Sequence, residues 1–327
     1  MFINHPSSNR RTPGLLIASF FALTVAFTAC KDEENPITVP TAQTITELVT
    51  SNPQFTLLSA AVTRAGLGST LSGTGPFTVF APSDDAFRAA GFANAAAFDA
   101  VPVATLTNIL LYHVASGSLS ASAISAGQTA QPTALTANGT AYVSKVTSTS
   151  GTGVSVNGAR VVLADVQASN GIIHVIDRVL MPPAGSILAV AQADTTLSYL
   201  VAAALRGGPA VTGALGGTTA LTVFAPTNSA FRAAGFPTIA SISAAPEATL
   251  TSILTYHVIP GVRAYSPTLT NGATITTFQT GTVAVGVTPT AVTVTGRGNN
   301  GTASNVTTAD ISATNGVIHK IDRVLLP

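Results

Sequence analysis

Few residues in this 327-residue chain could do chemistry. Its histidines beyond the first thirty positions are His113, His174, His257 and His319, and its one cysteine is Cys30. Imidazoles can ligate a metal or act as a general base. Their neighbours argue for packing instead. His113 stands three residues after Leu110 and seven after Leu106, on the apolar side of a helical pattern. His174 shares a strand face with Ile172 and Ile176, and His257 and His319 repeat the two settings. All four are expected to be buried, with their ring nitrogens satisfied. Asp84-Asp85 could bind a cation, but Asn228-Ser229 hold the same places in a second copy of the surrounding sequence. All four residues suit the first turn of a helix, so capping is the expected role. Asp177-Arg178 recurs as Asp322-Arg323. Strand neighbours point to opposite faces, so each of these residues should pair elsewhere within its own domain. Gly296 to Gly301, GRGNNG, fits the dinucleotide pattern GxGxxG and follows the strand-like AVTVT. No helix follows to receive a phosphate, so it reads as a glycine-rich loop, inserted relative to NGARVV in the first copy. GxSxG, HExxH and zinc-like cysteine spacings are absent from the sequence. No catalytic residue, metal or cofactor is expected.

The elements that must position these residues are duplicated. Phe77 to Phe92, FTVFAPSDDAFRAAGF, returns as LTVFAPTNSAFRAAGF over 221–236. TLTNILLYHV (105–114) returns as TLTSILTYHV (249–258), and SNGIIHVIDRVLMP (169–182) as TNGVIHKIDRVLLP (314–327). Three blocks in the same order, nearly equally spaced, mark two domains, 44–182 and 186–327. Only Pro183, Ala184 and Gly185 separate them, which predicts restricted movement. Apolar spacing of three and four predicts helices over 45–62 and 187–205, and a stripe of Leu106, Ile109, Leu110 and Val114 predicts another. Ser83 and Thr227 read as N-caps of a helix that Gly91 and Gly235 end. From Ala141 the pattern turns to strands, with Asn170-Gly171 as a hairpin turn between 161–167 and 172–180. The class is α+β.

Charged residues make up 8% of the chain, far below the usual quarter. Arg10 and Arg11 are the only charges before Cys30, so removing that segment takes 14 basic residues to 12 against 13 acids, a formal charge of −1. This near-neutral balance, with no basic cluster, argues against nucleic acid and anionic lipid as partners. After Arg10-Arg11 comes an apolar run, Gly14 to Ala29, shorter than a membrane span and ending in small residues before Cys30. Residues 1–29 are expected to be a signal peptide. The ending resembles a bacterial lipoprotein signal, with Phe27 where Leu is usual, and implies a lipidated Cys30 as the mature first residue. The alternative is an ordinary signal peptide with an incidental cysteine. Lys31-Asp32-Glu33-Glu34 resembles the export signal of surface lipoproteins in the Bacteroidetes group, or is a solvated linker. Residues 30–43 form the lipidated cysteine and its tether, an outer-membrane and possible cell-surface anchor and the chain's one expected contact with a membrane.

The three repeated blocks resemble the motifs of the fasciclin domain family: TVFAPSDDAF and TVFAPTNSAF, then Tyr112-His113 and Tyr256-His257, then NGIIHVIDRVL and NGVIHKIDRVL. The resemblance implies a fasciclin-type fold, a β-sandwich or wedge packed with several helices, duplicated in tandem. It implies an extracellular adhesion role toward polysaccharide or cell-surface and matrix proteins, and no enzymatic activity. In animal members adhesion is attributed to the Tyr-His region and an Asp-Ile pair near the closing motif. Carried over, these are Tyr112 and His113 in the first copy and Tyr256, His257, Asp310 and Ile311 in the second. Asp165 is followed by Val166, so the first copy lacks the Asp-Ile pair. The rival expectations are a carrier of a small apolar ligand, such as a carotenoid or lipid, and a structural envelope or biofilm-matrix protein.

Overall fold

The computed structural model describes residues 42–148 and 151–327. The signal peptide, Cys30 and most of the tether lie outside the described residues. In the first domain, α1 (Ile45–Ser51), α2 (Thr56–Ala65) and α3 (Gly68–Leu71) lead into strand β1 (Phe77–Pro82). Then come α4 (Asp84–Ala89), α5 (Val103–Tyr112), β2 (Val114–Ser116), β3 (Gly127–Pro132), β4 (Thr140–Ser148), β5 (Gly151–Val156), β6 (Ala159–Ala168) and β7 (Gly171–Ile176). The second domain repeats the plan. It has α6 (Ile187–Ala193), α7 (Ser198–Arg206), α8 (Gly208–Gly216), β8 (Leu221–Pro226), α9 (Asn228–Ala233), α10 (Ile239–Ala244) and α11 (Glu247–Tyr256). Its strands continue with β9 (Val258–Pro260), β10 (Thr274–Thr276), β11 (Thr282–Val287), β12 (Val292–Gly296), β13 (Ser304–Ala313) and β14 (Gly316–Ile321). The two domains share one compact unit.

Each domain is a wedge built on one seven-stranded sheet, ordered β2-β1-β7-β6-β5-β4-β3 and β9-β8-β14-β13-β12-β11-β10. The central pairs β1/β7 and β8/β14 are parallel, and their neighbours run antiparallel. FTVFAP and GIIHVI lack polar alternation because both faces of the pair are covered. Val79, Ala81, Ile173 and Val175 face the helices, while Phe80 and Ile176 face a second core under the outer strands. Fully burying such a side chain stabilises the fold by roughly 1.5–3 kcal/mol.

Three local expectations change. The helix expected over 45–62 is two helices. Pro53 has no N–H and pushes Asn52 into an extended conformation (φ −90°, ψ 122°), so the chain turns before α2. In the second copy Asp194 makes the same break without a proline, by accepting from Thr196 N. Val114 does not continue the helical stripe: α5 ends at Tyr112, and Val114 opens β2 opposite Val79. Asp84 caps a helix, but not its own. Its carboxylate accepts from Leu57 N at 2.9 Å and Thr56 Oγ1 at 2.5 Å, at the start of α2. Asn228 takes Tyr199 N at 3.0 Å in the same way. Own-helix capping falls to Ser83 and Thr227.

Candidate functional site

The Tyr-His motif sits where α5 ends. His113 is buried, and both its ring nitrogens are used. Nδ1 lies 2.7 Å from the carbonyl of Ile109, and Nε2 accepts from Leu180 N at 2.9 Å. That pattern requires the proton on Nδ1 and a neutral ring. Burial pushes the pKa down to about 4. His257 repeats this with Ile253 O and Leu325 N, and burial lowers it to about 4 as well. Each histidine therefore ties the end of a helix to the closing segment of its domain. Tyr112 points the other way, into the sheet core. Its hydroxyl donates to Thr140 O at 2.9 Å and accepts from Asn157 Nδ2 at 2.7 Å. Burial raises it to about 12. Tyr256 donates to Thr282 O and accepts from Arg297 N, so the glycine-rich insertion replaces Asn157 as donor.

The Asp-Ile position lies on a bulge. Strand β13 pairs with β12 near its start and with β14 after that, and its register slips between Thr308 and Ile311. Asp310 sits in that slip with φ 65°, as Asp165 does in β6 with φ 58°. Aspartate tolerates this left-handed region better than most residues. The bulge turns each aspartate toward the equivalent loop of its own domain: Asp165 Oδ1 accepts from Ala121 N at 2.9 Å, and Asp310 Oδ1 from Ser266 N at 2.6 Å. Their own N–H groups reach Nδ1 of His174 and His319, each at 3.3 Å. The Nε2 atoms of those histidines donate to Leu119 O and Ala264 O. Burial also lowers the pKa of His319. Ile311 packs on the helical core of its domain, as Val166 does in the first.

The sequence-derived site residues thus divide among three interior places. Tyr112, His113, Tyr256 and His257 are all at most 2% exposed, and the Asp310 side chain is 1% exposed. They hold loops and helix ends and do not themselves form a surface.

What the sequence reading missed is the seam between the domains. Arg178 was expected to pair within its own domain. Instead its Nη1 reaches Asp310 Oδ2 in the second domain at 2.8 Å. Asp177 does stay within its own domain, accepting from Arg160 N. Gly158, at the β5–β6 turn, lies so close to Asp310 that a Cβ there would sit 2.3 Å from its Cγ. The Arg263 guanidinium stacks over the Tyr142 ring at 4.4 Å and donates to Thr314 O. Gln128 Nε2 donates to Arg263 O, and Asn138 Nδ2 to Pro183 O in the linker. The signal lay in the differences between copies. The hydrogen-bond frame puts Ser118 where the second copy has Arg263, and Ala284 where the first has Tyr142.

The Fasciclin domain model matches this chain twice, over residues 53–182 and 194–327. The chain belongs to the fasciclin domain family. Relatives include Protein sll1483 of Synechocystis sp., 43% identical over 43% of this chain and 75% of that protein. Human periostin is 34% identical over 53% of this chain and 20% of its own length. The pig transforming growth factor-beta-induced protein ig-h3 is 28% identical over 79% of this chain and 35% of its own length. This chain therefore spans only a minor part of the two animal relatives. The FAS1 domain pair from the insect cell adhesion molecule Fasciclin I matches 83% of this chain and 96% of that one, with 22% identity and a TM-score of 0.41. Among the described residues, no group of three His, Cys, Asp or Glu side chains could hold a metal ion. No single described helix is long and apolar enough to cross a membrane.

Proposed function

We propose that this protein is exported, held to the outer membrane through a lipidated Cys30, and uses its two fasciclin domains to bind polysaccharide or a surface or matrix protein. One observation carries the choice of binding over catalysis. All eight ring nitrogens of His113, His174, His257 and His319 are engaged by backbone groups, so none is free to act as a base. The family membership of both domains supports the same reading. In it, Asp310 acts by pinning the loop at Ser266, Tyr112, His113, Tyr256 and His257 by fixing helix ends to strands and closing segments, and Ile311 by packing on the helical core.

The carrier reading has one feature to weigh. An apolar cavity in the first domain, among Val49, Leu58, Val62, Val79 and Leu110, has a volume of about 60 Å³. A dry cavity that admits benzene is about 150 Å³. Carotenoid or lipid would need this one to open widely.

The test is attachment. Cells displaying the full chain should adhere to polysaccharide or matrix-protein surfaces, and Cys30→Ser should release the protein into the medium. Adhesion that is unchanged after both domains are deleted would end the proposal.

A further inference from the structure

The chain has five tyrosines, and three of them meet at the seam. Tyr112, Tyr142 and Tyr265 line a cavity of about 170 Å³, bordered also by Pro183 of the linker and by Ser312 and Thr314 of the second domain. Such junctions between domains are common ligand sites. This one is a product of the tandem arrangement, because Tyr112 and Tyr142 belong to one domain and Tyr265 to the other.

The lining narrows the ligand chemistry. No side chain that is charged at neutral pH lines the cavity, so an ion would find no counter-charge there. An apolar ligand would strand hydroxyl groups, at a cost of about 1–3 kcal/mol each. Tyr265 Oη and Ser312 Oγ lie 3.1 Å apart. One hydroxyl donates to the other, and the acceptor's own hydrogen is left for a third group. Asn138 spends one amide hydrogen on Pro183 O and keeps a second. The Tyr142 ring is fixed in place by the Arg263 guanidinium. Aromatic surface and uncharged donors and acceptors around a small space suit a ring that carries several hydroxyls. The volume slightly exceeds the roughly 150 Å³ that admits benzene, so it takes one six-membered ring whose substituents reach the mouth of the cavity.

The geometry points to a subsite for a single neutral sugar unit between the two domains, walled by Tyr142 and hydrogen-bonded by Tyr265 and Ser312. It rests on the polysaccharide-binding reading above and names where one residue of the polymer would sit. The second domain has Ala284 in place of Tyr142, so it does not carry the same aromatic wall.

The test uses the full chain and four probes, the methyl glycosides of glucose, galactose, mannose and N-acetylglucosamine. Binding is followed by ligand-observed NMR and calorimetry. At least one glycoside should bind saturably. Tyr265→Phe and Tyr142→Leu should each weaken it about tenfold, the effect of losing one good contact. Tyr199→Phe, on a hydroxyl that serves Pro237 O elsewhere, should leave it unchanged. Should Tyr142→Leu disturb folding, Ser312→Ala tests the same site with one hydroxyl removed. Absence of saturable binding by all four glycosides, or binding unmoved by Tyr265→Phe and Ser312→Ala, overturns the subsite and leaves a water-filled cavity. Attachment to polysaccharide-coated surfaces is measured in parallel. Attachment without glycoside binding overturns the subsite alone, whereas loss of both overturns the adhesive reading too.

Discussion

Asp165 and Asp310 occupy the same bulge in the two domains, with nearly the same backbone twist, yet they carry different loads. Asp165 holds one backbone N–H, that of Ala121. Asp310 holds Ser266 N, Ser266 Oγ at 2.5 Å and the Arg178 guanidinium of the other domain. The shared part, a carboxylate pinning a loop, is common to both domains. The added part belongs to this pair of domains. A residue that looks like a ligand contact on a motif comparison is here the buried half of a clamp between domains.

Substitutions can test that contrast. Asp310→Ala leaves a backbone N–H and a hydroxyl without their partner and removes the anchor of the half-exposed Arg178, and should cost about 2–4 kcal/mol in denaturant unfolding. Asp165→Ala should cost about 1–2 kcal/mol. Equal costs would mean that the seam adds nothing.

The two Tyr-His histidines should behave alike. Their folded pKa values lie near 4 against an ordinary 6.5, so the unfolded chain binds more protons between those values. Stability is full above about pH 6.5 and falls as the pH drops toward 4, by on the order of 3 kcal/mol per histidine. Urea midpoints at pH 7.5 and 4.5 measure this, and His113→Gln should remove the His113 share of the dependence while His257 and His319 keep theirs. A flat profile would mean that the rings are not buried neutral.

Glycines give a third contrast. Gly158 and Gly301 both have positive φ, 85° and 77°, but only Gly158 faces Asp310, while Gly301 faces open space. Gly158→Ala should cost about 2–3 kcal/mol and loosen the two-domain envelope in solution scattering. Gly301→Ala should cost about 1 kcal/mol, with the envelope unchanged. Smaller still, Arg178→Ala should cost about 0.5–1 kcal/mol, since Arg178 is half exposed. Its counterpart Arg323→Ala should stay within about 0.5 kcal/mol. Thermal melts of the two variants decide it.

Much of this was legible in the residues. Repetition revealed the duplication. Ser83 and Thr227 announced helix starts, and the apolar settings of His113 and His174 announced packed rings. Asn170-Gly171 marked the hairpin, and the same asparagine also binds Ile45 N and the carbonyls of Leu71 and Gly73, which no local pattern states. The break at Asn52 was within reach, because Pro53 was there to read. Arg178 was not. Strand periodicity says which face a residue takes but not which domain lies opposite. Asp310 was picked out by motif, and its environment depends on Gly158, more than a hundred positions away. Tyr142, Arg263 and Tyr265 repeat no motif, so reading for likeness between the copies passed over them.

The parallel pair at the heart of each wedge bears on the order of events during folding. Phe77 must wait for Gly171, and Leu221 for Gly316. Each separation exceeds ninety residues, and the intervening strands cannot close the sheet without that last partner. A nascent or translocating chain therefore shows one edge of β1 unpaired for most of its passage. Assembly should be slow for the domain's size, since long-range pairing must come before any reward from packing. A chain cut anywhere ahead of β7 would have no smaller domain to fall back on. It would have a sticky apolar strand that needs a chaperone until its partner arrives.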